Sequence, residues 1–388
     1  MKEYRNENLH RLALKLVGNP DAAFILRQVE GWQKLSQKVP SWSNIDDLHY
    51  PHKLALEQCS GEAAATYKSE IVKRLFPNGG RRMADLTGGL GVDFSFVARH
   101  FESALYVERQ QELCELAKHN FPLLKLDNAE IKNADSIEVL ATLSDLDLLF
   151  LDPARRDGIG RKVVLLEDCE PNVVVLLPKL LAAARIVVLK LSTMLDLRQA
   201  ISSLAHVSEV HIFAEHGECK DLLLILSRDV AADNEPSIHC MDNGIAFCFT
   251  PAEEVNAIAN FTPNVGGFLY EPSAAVLKAG AFKIVSQRFQ LQKLHPNSHL
   301  YVGDKMIENF PGRCFKIKDT CGFSKKELKK YAANTPKANL TVRNFPATVA
   351  DLRKRLKLAE GGDAYWFATT LHDETHCLIM CEKCSNVN

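Results

Sequence analysis

Between Met83 and Arg228 the chain alternates two apolar patterns. Short, nearly continuous apolar runs are RMADLT, SALYVE, LDLLFLD, RIVVLKLS, SEVHIFAE and DLLLILS. Between them lie stretches whose apolar residues recur every three or four positions, such as VDFSFVARHF, QQELCELAKHNF and MLDLRQAISSL. The runs predict strands and the periodic stretches predict helices. Apolar strands alternating with helices predict a parallel sheet covered on both faces, an α/β domain. In such sheets a ligand sits at the carboxyl ends of the strands. Upstream, DAAFILRQVEGWQKLS and PHKLALEQCSGEAAATYKSEIVKRLF carry helical spacing, with KVPSWSNIDDLHYP between them as a Pro-bounded loop. Downstream, SRDVAADNEPS reads as a polar linker. The last part reads as strand RCFKIKD, helix SKKELKKYAAN, strand ANLTVRNF, helix ATVADLRKRLKL, then strands AYWFATTL and HCLIMCEK. Ser324 and Thr348 stand where those two helices need N-caps.

Composition adds less than pattern. At 388 residues the chain has length for two or three domains. Its first twenty residues are polar throughout and lack a clean apolar core, and no stretch is long and apolar enough to span a bilayer. The eleven Cys are scattered. Together these features predict a soluble, cytoplasmic protein with reduced thiols. The charge is informative because it is uneven. The formal net charge is −1, yet Arg313 to Lys357 holds thirteen Arg or Lys against three acids, an excess of ten. A segment this basic attracts polyanions, nucleic acid first among them. The structural alternative is a solvated face of Lys-rich helices.

The candidate chemistry clusters at strand ends. Asp85-Leu-Thr-Gly88-Gly89-Leu-Gly91 leaves the first strand and opens a helix, so its glycines let a ligand approach the backbone. A tight turn with no ligand is the alternative. Glu108 ends the next strand, where a carboxylate can accept from both hydroxyls of a ribose. Asp135 ends the third, in IKNADSIEVL, either to accept from an adenine amino group or to N-cap the following turn. Asp152-Pro153 ends the fourth, LDLLFLD, and an acid closing so apolar a run needs exposure or a partner. A dinucleotide fingerprint requires a third glycine where this chain has Phe94. Asp85 also opposes a pyrophosphate, since two unit charges 4 Å apart interact by about 4 kcal/mol at a surface-like dielectric. The same acid suits a ligand carrying an ammonium and a sulfonium. No G-K-[ST] follows the glycines, so a Walker loop is excluded.

D-x-x-G-G-x-G, the acid ending the second strand, the acid after the third and D-P after the fourth together resemble a class I S-adenosylmethionine-dependent methyltransferase over residues 60–230. The resemblance implies a Rossmann-like, seven-stranded sheet with an antiparallel last strand. It implies that Asp85, Thr87, Gly88, Gly89 and Gly91 face the methionine part of S-adenosylmethionine, Glu108 the ribose, Asp135 the adenine edge, and Asp152 and Pro153 the transferred methyl. Over its whole length, through DLTGGLGVD, DPARRD, HGECKDLLL and YEPSAAVLKAG, the chain is similar to a bacterial methyltransferase group, typified in Bacteroidetes, with a THUMP-like C-terminal domain. That likeness implies an N-terminal helical segment over 1–59, a small ferredoxin-like α+β lobe over 236–312 and a THUMP-like RNA-binding domain over 313–388. RNA is then the implied partner, with Lys325, Lys326, Lys329 and Lys330 on its binding surface.

Methyl transfer from a sulfonium is a direct displacement that needs alignment of the acceptor, with no metal and no covalent nucleophile. Family members acting on exocyclic base nitrogens carry [DN]-P-P-[YFW], the aromatic stacking on the base. This chain has Asp152-Pro153-Ala154-Arg155-Arg156, without the aromatic. Asp152, Pro153 and Arg155 are the expected catalytic group. Arg155 and Arg156 suit a substrate phosphate or a stacked base, with surface ion pairing as the alternative. That departure motivates a second reading, an RNA-binding protein on a methyltransferase fold that no longer catalyses; a third reading is a methyltransferase of proteins or small molecules. Cys377-x3-Cys381-x2-Cys384 has iron–sulfur-like spacing, but HCLIMCEK alternates as a terminal strand with Cys377 and Cys381 on one face. HGECKD, with His216, Glu218 and Cys219, reads as a strand connection.

Overall fold

The computed structural model describes residues 2–155 and 166–384. It forms two units, one of residues 1–210 with 221–234 and one of residues 211–220 with 235–388.

The first unit opens with helices. Ala22–Lys38 matches its periodic stretch. The Pro-bounded segment is not wholly loop, because Pro40 starts the one-turn helix Pro40–Ser43, Pro being well suited to a first helical turn. The stretch 51–76 is two helices, Lys53–Gln58 and Glu62–Leu75, parted at Cys59-Ser60-Gly61.

The strands of the alternating region are β1 Gly80–Asp85, β2 Phe101–Glu108, β3 Ala129–Asn133, β4 Leu146–Leu151, β5 Ala184–Leu191, β6 Val207–Glu215 and β7 Glu218–Ser227. Their spatial order is β3-β2-β1-β4-β5-β7-β6. β1 to β5 pair in parallel, and β7 pairs antiparallel with β5. The seven strands of the resemblance are therefore present with the antiparallel member it implies. The hairpin Ser237–Asp242/Ile245–Phe249 belongs to the second unit. β4 and β5 are buried along almost their whole length, as strands covered on both faces must be. Because β1, β2, β4 and β5 run in parallel, Asp85, Glu108, Asp152 and Lys190 lie at or beside the carboxyl ends of neighbouring strands. His216 and Gly217, both at positive φ, turn β6 into β7, as a tight hairpin requires.

The second unit carries an eight-stranded sheet that includes Phe268–Pro272, Gly312–Cys321, Asn339–Arg343, Ala364–Thr370 and His376–Lys383. All six elements read from residue 313 onward form. Ser324 caps helix Lys325–Asn334 by accepting from the Glu327 amide, and Thr348 caps Val349–Leu356 in a capping box with Asp351. Alternation along Ala364–Thr370 splits the core: Trp366 and Ala368 pack with Leu328, Leu352 and Leu356 from the helices, while Phe367 packs with Phe315 and Ile379. Cys377 and Cys381 are buried in the second of these clusters, and Cys384 Sγ lies 3.6 Å from Cys314 Sγ. Cys377 and Cys381 are thus buried residues of the last strand, and Cys384 follows directly after it beside Cys314.

Candidate active site

The glycine loop is built around two rings. Gly88 packs so closely on Tyr106 that a Cβ would lie 2.1 Å from the ring, and a Cβ at Gly91 would lie 2.9 Å from Phe121. Gly89 and Gly91 take positive φ, and Gly91 N-caps helix Val92–Val97. A Cβ at Gly89 would meet nothing closer than 3.8 Å, so at that point the backbone is open to an approaching ligand. The Tyr106 hydroxyl donates to the Gly89 carbonyl from below.

Asp85 is buried, and burial raises its carboxyl from 3.8 to about 7, against the Thr87 amide donating to Oδ1 at 2.9 Å. The Thr87 hydroxyl accepts from the Asp152 amide at 2.6 Å and lies 3.4 Å from Asp85 Oδ1. Thr87 thereby couples the glycine loop to the Asp-Pro turn. Glu108 is also buried. Its Oε2 accepts from the Gly89 amide at 3.0 Å and its Oε1 from the Gln110 amide at 2.8 Å. The carboxylate at the end of β2 holds the loop that follows β1, and each oxygen keeps a lone pair for a further donor. Asp135 does not end β3. It stands two residues beyond, where its Oδ1 N-caps helix Ser136–Leu140 by accepting from the Ile137 and Glu138 amides.

Asp152 follows β4 directly, and its side chain is 41% exposed. Its Oδ2 accepts from Lys190 Nζ, near the end of β5, at 2.6 Å. The acid closing the apolar run therefore has both the exposure and the partner it needs. Lys190 also lies 3.4 Å from Asp93 Oδ2. Behind it, Lys68 donates to Asp93 Oδ1 at 2.9 Å, to Ser60 Oγ at 3.1 Å and to Asp221. Burial pushes the Asp93 carboxyl up, but Lys68 and Lys190 overcome it and hold it down at about 2. Burial pulls Lys190 down, but Asp152, Asp93 and Asp221 outweigh it, so the ammonium stays protonated well above the usual lysine range. Pro153 is buried. The backbone of Ala154–Arg155 pairs with Cys169–Glu170, and Arg156 lies outside the described residues.

The sequence pattern marks Asp85, Glu108, Asp135 and Asp152 but not Lys68, Lys190, Asp93 or Asp221. Nothing in the string RIVVLKLS marks Lys190 as anything but a charge in an apolar strand, although such a charge is itself a signal of a buried partner. Lys68 sits in a periodic helix with other charges and gave no signal.

In the second unit, Lys326, Lys329 and Lys330 are exposed on helix Lys325–Asn334. Lys337, Lys354 and Lys357 are exposed as well. Part of the basic excess is structural. Arg313 and Arg343 both bind the buried Glu271, Arg353 donates to the Ala338 carbonyl and Arg355 to that of Phe323.

The strand order and the acids at its carboxyl edge define the class I methyltransferase fold. A family model of a ferredoxin-like domain matches residues 268–311, and a model of a THUMP-like domain matches 312–383. The chain is similar to a crystal structure described as a "putative methyltransferase" from Porphyromonas gingivalis W83. Identity is 36%, with 99% of this chain and 96% of that one covered at a TM-score of 0.89. It is 22% identical over 306 residues to an uncharacterised S-adenosylmethionine-dependent methyltransferase of Mycobacterium tuberculosis, covering 78% of this chain and 80% of the relative. The chain belongs to the S-adenosylmethionine-dependent methyltransferase family whose members carry a C-terminal THUMP-like domain. Among the described residues no helix is long and apolar enough to cross a membrane.

Proposed function

We propose that this methyltransferase acts on RNA. The observation that carries the reading is the excess of ten positive charges between Arg313 and Lys357, on a THUMP-like module of the same chain as the donor-binding fold. The exposed lysines at 326, 329, 330, 337, 354 and 357 are suited to a phosphate backbone. Lys325 and Arg155 belong to this reading through their positions in the chain, as does Arg156.

The residues at the sheet edge fit S-adenosylmethionine. Asp85 would take its ammonium side, Gly89 and the loop amides would line its approach, Glu108 would accept from the ribose hydroxyls, and Asp135 Oδ2 would face the adenine. When bound, the sulfonium supplies an already activated methyl group. The protein's own work is then alignment. Thr87 holds the Asp152 backbone amide and Lys190 its carboxylate, so the group is oriented before an acceptor arrives.

Full-length protein given tritiated methyl donor and RNA from cells lacking the gene should label RNA, and Asp152→Ala should abolish the label while still binding S-adenosylhomocysteine. Label found only in protein or metabolites rejects the RNA reading. RNA that is bound but never labelled by the wild-type protein favours the inactive alternative.

A further inference from the structure

The side chain beside Asp152 bears on which atom receives the methyl. A base-amine site needs hydrogen-bond acceptors, because an exocyclic NH2 offers two N–H donors and a lone pair delocalised into the ring. Here the exposed carboxylate of Asp152 stands beside an ammonium instead, with Lys190 Nζ 2.6 Å from Oδ2. An ammonium carries three N–H groups and no acceptor. One of Lys190's points to Asp152, and Asp93 Oδ2 lies 3.4 Å away. The pair thus presents an acceptor and a cationic donor side by side. A hydroxyl is the complement of such a pair, since it donates through its hydrogen and accepts through its oxygen.

Charge development argues the same way. A methylated amine nitrogen becomes more positive on the way to product, and an adjacent ammonium opposes this. A hydroxyl oxygen becomes more negative as its proton leaves, and an adjacent ammonium stabilises it, most strongly where water is limited. Lys190 is only 12% exposed and is anchored from behind by Asp93, which Lys68 and Ser60 hold in turn. The surrounding carboxylates keep Lys190 cationic, which suits it to stabilise an oxyanion and unfits it as a base. The missing aromatic after Asp152-Pro153 is consistent, because a sugar hydroxyl needs no stacking ring.

Resting on the RNA reading above, we propose that the acceptor is a ribose 2′-hydroxyl, with Asp152 as the proton acceptor and Lys190 as the oxyanion donor. The hydroxyl donates to Asp152 Oδ1 while Lys190 Nζ donates to the hydroxyl oxygen. The oxygen forms a bond to the methyl carbon, the sulfur–methyl bond breaks with its electron pair returning to sulfur, and the proton passes to Asp152. The products are a 2′-O-methyl ribose, S-adenosylhomocysteine and a proton released from Asp152 to solvent.

A 2′-O-methyl group blocks alkaline cleavage of the adjacent phosphodiester, so the acceptor atom can be read directly. RNA labelled by the wild-type protein with tritiated donor is hydrolysed in alkali and separated by charge. Label in alkali-stable dinucleotides is expected. Label in mononucleotides, as a methylated base, overturns the proposal and leaves the RNA reading standing. Label in protein or metabolites alone overturns both. Lys190→Met should lower kcat about a hundredfold or more with the affinity for S-adenosylhomocysteine, measured by calorimetry, within twofold of wild type. Lys190→Arg should recover part of kcat. A Lys190→Met protein that keeps wild-type kcat overturns the lysine's role. Should that variant lose S-adenosylhomocysteine binding through misfolding, the product analysis of the wild-type protein decides alone.

Discussion

Asp85 sits where water cannot stabilise its charge, and its carboxyl rises from 3.8 to about 7. The folded state therefore holds this proton more tightly than the unfolded chain does. The sign is opposite to that of a salt-bridged acid: stability is lost as pH climbs from about 4 to about 7 and is level above. That rise corresponds to roughly 4 kcal/mol once the group is fully ionised. Asp85→Asn should accordingly raise the melting temperature at pH 8, leave it unchanged near pH 4, and weaken S-adenosylmethionine binding at least tenfold. On the proposed placement, wild-type affinity should also strengthen as pH rises through about 7, because an ammonium prefers the carboxylate. Calorimetric titration across that range, with the Asn variant as control, tests it. An unchanged melting temperature at pH 8 would show that the acid is not strained. The motif announced this residue, whereas its burial and its coupling through Thr87 to Asp152 came from packing that the motif does not encode.

Helix Glu62–Leu75, helix Val92–Val97 and strand β7 are joined by one buried ammonium. Lys68 touches Asp93 and Asp221, and all three side chains are largely withdrawn from water. Such a network is weak evidence for net stability, but breaking one partner is expensive because the remaining charges stay buried. Lys68→Met should destabilise the protein by about 3–5 kcal/mol in urea unfolding. The double change Lys68→Met/Asp221→Leu should recover much of that loss, since it removes the stranded carboxylate together with the cation. A single variant as stable as wild type would mean the cluster is more hydrated than the burial of Lys68 implies. Most of these elements were readable as periodic stretches. Their ion pairs were not, because Lys68 lies 25 residues from Asp93 and 153 from Asp221.

At the scale of the whole chain, a net charge of −1 conceals a basic module. The structure divides its charges into two populations. Arg313, Arg343, Arg353 and Arg355 are tied to Glu271 or to backbone carbonyls, while the lysines of helix Lys325–Asn334 at 326, 329 and 330 are exposed. Reversing Lys326, Lys329 and Lys330 to Glu should weaken RNA binding and flatten its dependence on salt, by about 0.7 in log–log slope for each phosphate that is no longer neutralised. Binding of S-adenosylhomocysteine should be unaffected. RNA affinity that is unchanged at low salt would assign those lysines to solvation alone.

The order of strands and helices and the acids at the strand ends were determined by local pattern. A sheet buried on both faces needs apolar runs, and each run must stop where the chain turns toward solvent and ligand, so Asp85, Glu108 and Asp152 stand out in one dimension. The basic excess is likewise a property of the string. Tertiary structure alone decided what those groups do. Asp135 caps a helix, Glu108 grips the glycine loop, and Lys190 reaches Asp152 from the neighbouring strand. The physical reason is that a charge in sequence looks like a surface charge until folding removes its water, and the partner that replaces the water comes from a distant segment.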